Sequence, residues 1–405
     1  MKKQNGSGLI KLIIYFFIMI MFAITLYACL DIFEIIDVPE KYSIANWIEQ
    51  NFGSTYNVEY NISNETEDKT EIKRRKIVVE NNTDEETITV ILPSDNDRDT
   101  DYSYSLPASK KPDESEEDEI ERFLYYDQLD EYAQIIYREL EKNLDNMKSG
   151  TYNVQFGKTF NDLLNEEDGE ETLANSFQLA INALNFDNPE LFYIDISKVY
   201  LLTKITQRLW GTTYEVEIGA SQGQSYLNDS FENRKEVEQA IGEIQDEKAY
   251  IESHLGGGIE SQIKSVHDYL VDNLEYDSTL SNDNIYNIYG ALINKSTVCE
   301  GYARAFKSIM DDLNIPCLIA CGTAVNSSGA VESHAWNYVQ LDGEWYAIDV
   351  TWDDPVIIGS GYVSSDVFNK YYLKGSEDFF TNHTEDGEIV GNANFKYPTL
   401  SEKNY

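Results

Sequence analysis

The sequence predicts an α+β fold: a helix that opens on a cysteine packs against an antiparallel sheet, after a smaller α+β unit and an apolar N-terminal segment. Three observations predict it. Apolar residues recur at helical spacing after residue 120 and again between 232 and 313, strands dominate from Ile315 onward, and an uncharged run at residues 12–30 stands apart from both.

Composition bounds the function. A chain of 405 residues accommodates two domains of ordinary size, and its 29 Tyr and 17 Phe supply a core. With 72 acidic against 31 basic residues the formal charge is −41. Nucleic acid and anionic lipid surfaces both require a basic footprint, so sequence-independent binding to either is excluded, and the charge favours a basic or neutral partner.

The chain divides in order. Residues 12–30 number nineteen without a charge, preceded by Lys2, Lys3 and Lys11. Such a run just spans the hydrocarbon core, and the basic flank keeps its start cytoplasmic, so residues 1–30 are expected as a single-pass membrane anchor with the remainder outside the cytoplasm. A cleaved signal is the rival, although the run exceeds the usual h-region. Lipidation at Cys29, within the lipobox-like Leu26-Tyr27-Ala28-Cys29, is another. Residues 31–60 mix apolar and polar positions without a clean period, residues 61–119 become acidic and polar, and 31–119 together read as an extended acidic stalk with one possible hairpin at 76–92. Asp95, Asp97, Asp99 and Asp101 alternate as in a calcium loop, but Thr100 and Leu106 stand where Gly and Glu are needed, so a solvated tether is expected.

Residues 120–228 form the accessory α+β unit. Phe123, Leu124, Leu129, Tyr132, Ile135, Ile136, Leu140 and Leu144 mark a helix that Ser149-Gly150 ends. A strand at 152–156, a helix at 173–184 and strands at 192–194, 199–208 and 213–218 follow, without a chemical constellation. Residues 229–405 form the second unit. Helices at 232–253 and 259–273 are separated by Gly256-Gly257-Gly258, and a short helix at 286–293 leads to Cys299.

The four cysteines, Cys29, Cys299, Cys317 and Cys321, give no disulfide framework. Cys317 and Cys321 sit four apart on one strand, which at about 3.3 Å per residue separates them too far to pair. Thr297-Val298-Cys299-Glu300 fits a capping box with Thr297 as N-cap, and Tyr302, Phe306, Ile309, Met310 and Leu313 give the following helix a buried face. A cysteine in a first helical turn meets unpaired N–H groups and the positive end of the dipole, which favour a thiolate and can receive an oxyanion. Gly301 leaves room for close approach. A lone cysteine is by default a buried structural residue. Its partners alter that reading.

Asp342-Gly343 is a two-residue hairpin turn of type I′. If Leu341 pairs with Glu344, Trp336 opposes Asp349 and His334 opposes Thr351, so His334, Trp336, Tyr338, Trp345, Ala347 and Asp349 share a face. His334 and Asp349 become diagonal neighbours at about 7–8 Å between backbones, a span their side chains can close. A one-residue slip would separate them. Cys299, His334 and Asp349 then form a thiol, a base and an orienting carboxylate. Asp353 and Asp354 remain substitutes for Asp349. Trp336, Trp345 and Trp352 are by default core residues, one of which could wall a cleft; Trp336 and Tyr338 are the expected substrate walls.

Val298-Cys299-Glu300-Gly301-Tyr302-Ala303, His334-Ala335-Trp336-Asn337 and Trp345-Tyr346-Ala347-Ile348-Asp349-Val350-Thr351-Trp352 together resemble the transglutaminase-like superfamily of thiol enzymes. The resemblance covers residues 259–355, and the segment 120–218 resembles the amino-terminal region of bacterial members. It implies a papain-like α+β core with Cys299 as nucleophile, His334 as general base and acid and Asp349 as orienting carboxylate. It implies action on amide bonds of a protein or peptide through a thioester, by transamidation or hydrolysis, with no cofactor and no metal. The additional β-sandwich domains of animal transglutaminases are lacking, so their calcium regulation is not implied. The alternative is a surface-anchored binding or scaffolding module that keeps the fold without turnover. A metal site at Cys299, His334 and Asp349 would lack a fourth ligand nearby.

Overall fold

The computed structural model describes Tyr27, residues 54–61, 75–81 and 84–91, and residues 125–405 except 209–210, 281–282, 327–328, 355–367 and 386–394. The expected anchor other than Tyr27, Cys29 and the run from Asp95 to Asp101 lie outside the described residues. Among the described residues no helix is long and apolar enough to cross a membrane.

The first half builds on a six-stranded sheet. Strands β1 (Ser54–Asn61), β2 (Arg75–Asn81) and β3 (Asp84–Ile91) come from the segment expected as a stalk. The expected hairpin is β2–β3, with Ile77 opposite Ile88. β1 lies parallel to β3 and antiparallel to a later strand of the accessory unit. β2 is the outer edge of this sheet, with β3 and β1 inside it.

Helix α1 (Glu131–Met147) starts at Asp130, whose side chain accepts from the Ala133 N–H at 2.8 Å, while the Ser176 hydroxyl donates to the same carboxylate. Strand β4 (Val154–Gly157), helix α2 (Gly169–Asp187), and the hairpin of β5 (Tyr200–Arg208) and β6 (Gly211–Gly219) complete this part, in sheet order β2-β3-β1-β5-β6-β4. The strand expected at 192–194 reduces to a bridge between Ile194 and Leu227.

Helices α3 (Arg234–Glu252) and α4 (Ile259–Asn273) flank the expected glycine break, where Gly258 takes φ 91°. A short parallel ladder of β7 (Glu275–Tyr276) and β8 (Ser296–Thr297), with a π-turn at Gly290–Asn294 between them, delivers the chain to α5 (Cys299–Asp312). Strands β9 (Cys317–Val325), β10 (Val331–Leu341) and β11 (Glu344–Ile348), helix α6 (Ser376–Phe379) and strand β12 (His383–Glu385) follow, with sheet order β11-β10-β9-β12.

Both faces of β10 are covered. Val339, Leu341, Tyr346 and Ile348 join the main core with Phe306 and Ile309 of α5, while Trp336, Tyr338 and Ala347 pack with Tyr371, Phe379 and Leu400. The main core is continuous with the first half: Ile136, Phe177, Leu201 and Ile218 belong to the same cluster. Polar ties reinforce this. The Tyr125 hydroxyl donates to the Ile319 carbonyl, and Arg304 of α5 donates to the Asn185 carbonyl at 2.7 Å while its guanidinium lies over Phe186. The accessory unit and the sheet with α5 thus share one core.

Candidate active site

The hairpin turn sets the site. Asp342 and Gly343 take φ 53° and 85°, the two positive values a type I′ turn requires, and Leu341 pairs with Glu344. The register runs to Asn337 opposite Ile348, where β11 ends. Asp349 then turns inward: its Oδ1 accepts the Trp352 N–H at 3.1 Å, and its carbonyl accepts the Asp353 N–H at 3.2 Å. This places its Oδ2 2.8 Å from His334 Nε2, with both residues buried.

Electrostatics follow from that contact. Burial disfavours the imidazolium of His334, but the Asp349 carboxylate and a hydrogen bond with the Cys299 side chain outweigh it and push the pKa up to about 10. Burial likewise disfavours the Asp349 carboxylate, yet His334 and then His383 hold it well below the usual carboxylate range. With Nε2 committed to Asp349, Nδ1 is the ring atom left for the thiol.

Cys299 is partly exposed at the first residue of α5. The capping box is corrected. Val298 is the N-cap and offers no side-chain bond; the Thr297 hydroxyl donates to the Ile285 carbonyl at 2.6 Å, and Glu300 pairs with Arg304 Nε at 2.8 Å. Thr297 pairs with Tyr276 in the β7–β8 ladder, and its hydroxyl, although close to Gly301, is spent on the Ile285 carbonyl. The first-turn N–H groups of α5 therefore receive no capping oxygen from Thr297 or Val298, which leaves them available for an oxyanion. Gly301 does make close approaches, but to protein: a Cβ there would lie 1.7 Å from Thr297 Oγ1 and 2.9 Å from the Ile285 carbonyl. Asn337 fixes α5 against the sheet by donating from one amide nitrogen to the carbonyls of Ala303 (2.9 Å) and Leu318 (3.2 Å).

The expected walls are corrected too. Trp336 is 1 % and Tyr338 0 % exposed, inside the second cluster, and the Tyr338 hydroxyl donates to Glu385. Strand alternation says which residues share a face and not whether another layer covers it. The ring stacked on the imidazole is that of Trp352, half-buried, with centroids 4.9 Å apart and planes at 29°, while Trp336 lies farther off at 6.0 Å. Tyr276 of β7 is a further residue the sequence did not single out. Partial desolvation, with the Cys299 thiol, Glu332, Tyr286 and Asp349 nearby, pushes its phenol up to about 12.

The substitutes for Asp349 are occupied elsewhere. Asp353 accepts from His267 Nε2 at 3.1 Å and from the Tyr371 N–H at 2.9 Å, and Asp354 accepts the Tyr302 hydroxyl at 2.6 Å. A second histidine enters instead. His383 of β12 is buried and places Nε2 3.1 Å from the same Asp349 Oδ2. Its only sequence signal was the scarcity of histidine, since the three-residue strand that carries it has no apolar alternation.

His334, Asp349 and His383 bring three ligand atoms within 4.8 Å of one another, a set able to hold a cation. Here the two imidazole nitrogens converge on one carboxylate oxygen, so a cation would have to replace both hydrogen bonds.

Comparison with known proteins matches one segment of the chain to a family. The sequence model of the transglutaminase-like superfamily matches residues 254–350. Kyphoscoliosis peptidase of Homo sapiens and that of Mus musculus are each 26% identical over 133 residues, covering 30% of this chain and 19% of the peptidase, so the chain spans about a fifth of those relatives. Among solved structures, a TGase overlaps 42% of this chain and 48% of its own at 14% identity and TM-score 0.27. The periplasmic domain of TgpA from Pseudomonas aeruginosa overlaps 38% and 70% at 12% identity and TM-score 0.22.

Proposed function

We propose that this chain, which carries a transglutaminase-like domain at residues 254–350, is a cysteine acyltransferase or cysteine peptidase that acts on amide bonds of proteins or peptides. The observation that carries the reading is the shared imidazole. His334 bonds Asp349 through Nε2 at 2.8 Å and interacts with the side chain of Cys299, which opens α5.

The steps follow from that arrangement. Sulfur attacks the amide carbonyl carbon with its proton already held at His334 Nδ1, since a ring with a pKa of about 10 carries both ring protons at neutral pH. The oxyanion meets first-turn N–H groups of α5. A ring whose pKa is raised to about 10 keeps this proton through neutral pH. It then protonates the departing nitrogen as the C–N bond breaks, releasing ammonia from a glutamine or an amine from a peptide and leaving a thioester. An amine or water attacks next, His334 takes its proton, the C–S bond breaks and the thiol is restored. Asp349 keeps the ring oriented and compensates its charge. Trp352, stacked on the imidazole, limits the access of water to it.

The acidic charge and the uncharged run at 12–30 support an enzyme tethered by its N-terminus and working outside the cytoplasm on basic or neutral polypeptides. Incubating the purified chain with a glutamine peptide and a primary amine tests the activity by mass spectrometry. A mass gain equal to the amine minus ammonia marks transamidation, while cleavage or a gain of about one dalton marks hydrolysis. No product, or equal product from Cys299→Ala, would refute the proposal.

A further inference from the structure

Asp349 Oδ2 is the meeting point of two imidazoles. His334 Nε2 lies 2.8 Å away and His383 Nε2 3.1 Å away, and all three residues are buried. We propose that His383 is a positioning residue: by donating to the oxygen that holds His334, it fixes the Asp349 carboxylate and extends the catalytic apparatus to β12, beyond the matched residues 254–350. This inference rests on the thiol-enzyme reading above.

The chemistry requires something of this kind. A carboxylate that accepts from one imidazole alone can rotate about its last bond, and the ring can then change tautomer or tilt away from the thiol. Three donors remove that freedom in Asp349. The Trp352 N–H occupies Oδ1, and the two histidines occupy Oδ2. Two N–H donors on one oxygen also lower its affinity for a proton, so the proton taken from the thiol stays on His334.

The fold is arranged to bring His383 there. It stacks on Phe379 with centroids 4.0 Å apart, and its Nδ1 lies 3.0 Å from the Asn382 side-chain oxygen, while the Asn382 amide donates to the Tyr371 hydroxyl at 2.8 Å. β12 reaches the sheet through Gly322, which pairs with Glu385. A Cβ at Gly322 would lie 2.1 Å from the Thr384 carbonyl oxygen, so only glycine lets β12 approach this closely.

Second-order alkylation of Cys299 by iodoacetamide near neutral pH, measured on the full chain, separates the outcomes without a substrate. A Gln amide nitrogen reaches about as far as His Nε2, and an Asn amide about as far as Nδ1. His383→Gln is therefore expected to react within about threefold of the unsubstituted chain, and His383→Asn roughly 10–100-fold more slowly, the usual cost of losing a partner that orients a reactive ligand. Gly322→Ala should slow the reaction as well. Packing alone would not restore the rate in the Gln variant and lose it in the Asn variant. Equal rates for unsubstituted, Gln and Asn chains, or equal losses in both variants, would overturn the role of His383 while leaving the thiol-enzyme reading intact. If the unsubstituted chain itself reacts no faster than glutathione, the underlying reading fails instead.

Discussion

His334 Nε2 and Asp349 Oδ2 lie 2.8 Å apart across a hairpin whose turn, Asp342-Gly343, begins eight residues after His334 and ends six residues before Asp349. The bond depends on register, because a slip of one residue would send one side chain to the opposite face. It also sets the protonation of both groups. The raised pKa of His334 means that the pair's stabilisation is complete below the ordinary histidine value of about 6.5 and is lost as pH rises through about 10. For Asp349 the pKa is lowered, so its share is present above the ordinary carboxylate value of about 3.9 and is lost as pH falls through the depressed value.

Asp349→Asn removes the charge that opposes burial. The His334 imidazole, followed by its NMR shift against pH, is expected to titrate at or below about 6.5 in this variant. Alkylation of Cys299 should slow by roughly 10²–10⁴-fold, in line with the loss of an orienting carboxylate. A His334 titration unchanged from about 10 would contradict the assigned pair.

Gly301→Ala places a Cβ 1.7 Å from Thr297 Oγ1 and 2.9 Å from a backbone carbonyl. The start of α5 must shift, at a cost of about 1–3 kcal/mol. Thermal unfolding should report a lower Tm, and Cys299 alkylation should slow with it. Gly257, where a Cβ meets nothing within 4 Å, serves as the comparison: Gly257→Ala should leave both measurements unchanged.

Asn337→Ala leaves the buried tie from β10 to the Ala303 and Leu318 carbonyls unmade. Chemical denaturation should show a loss of roughly 1–3 kcal/mol. Wild-type stability would show that α5 is held by apolar packing alone.

Residues 229–405 produced without the preceding segment should fail to fold cooperatively. The core that holds Phe306 and Ile309 is shared with Ile136, Phe177 and Leu201, and the Tyr125 and Arg304 ties cross the same boundary. A sharp thermal transition for the isolated segment would contradict the single core.

The candidate site was largely legible because hairpin chemistry is local: Asp342-Gly343 alone indicated that His334 and Asp349 could meet, and the Cys299 helix followed from its apolar stripe. What escaped depended on distant layers. Trp336 and Tyr338 lost their expected contact with solvent to Tyr371, Phe379 and Leu400, residues that no strand pattern ties to β10. His383 came from a three-residue strand whose partner, β9, lies about sixty residues earlier. Thr297 forfeited its capping role to a carbonyl twelve residues away, a competition that spacing does not reveal. The β2–β3 hairpin of the acidic segment was legible, whereas β1 was not, because residues 31–60 mix apolar and polar positions without a clean period.

The central claim is that Cys299 carries an acyl group passed to it from an amide. Intact-protein mass spectrometry of the chain mixed rapidly with a glutamine peptide, before any amine is added, tests it most directly. The account predicts an adduct equal to the peptide minus ammonia, mapped to Cys299, removed by hydroxylamine, and absent from Cys299→Ala and His334→Ala. An adduct at another residue, or none while peptide is consumed, would contradict it.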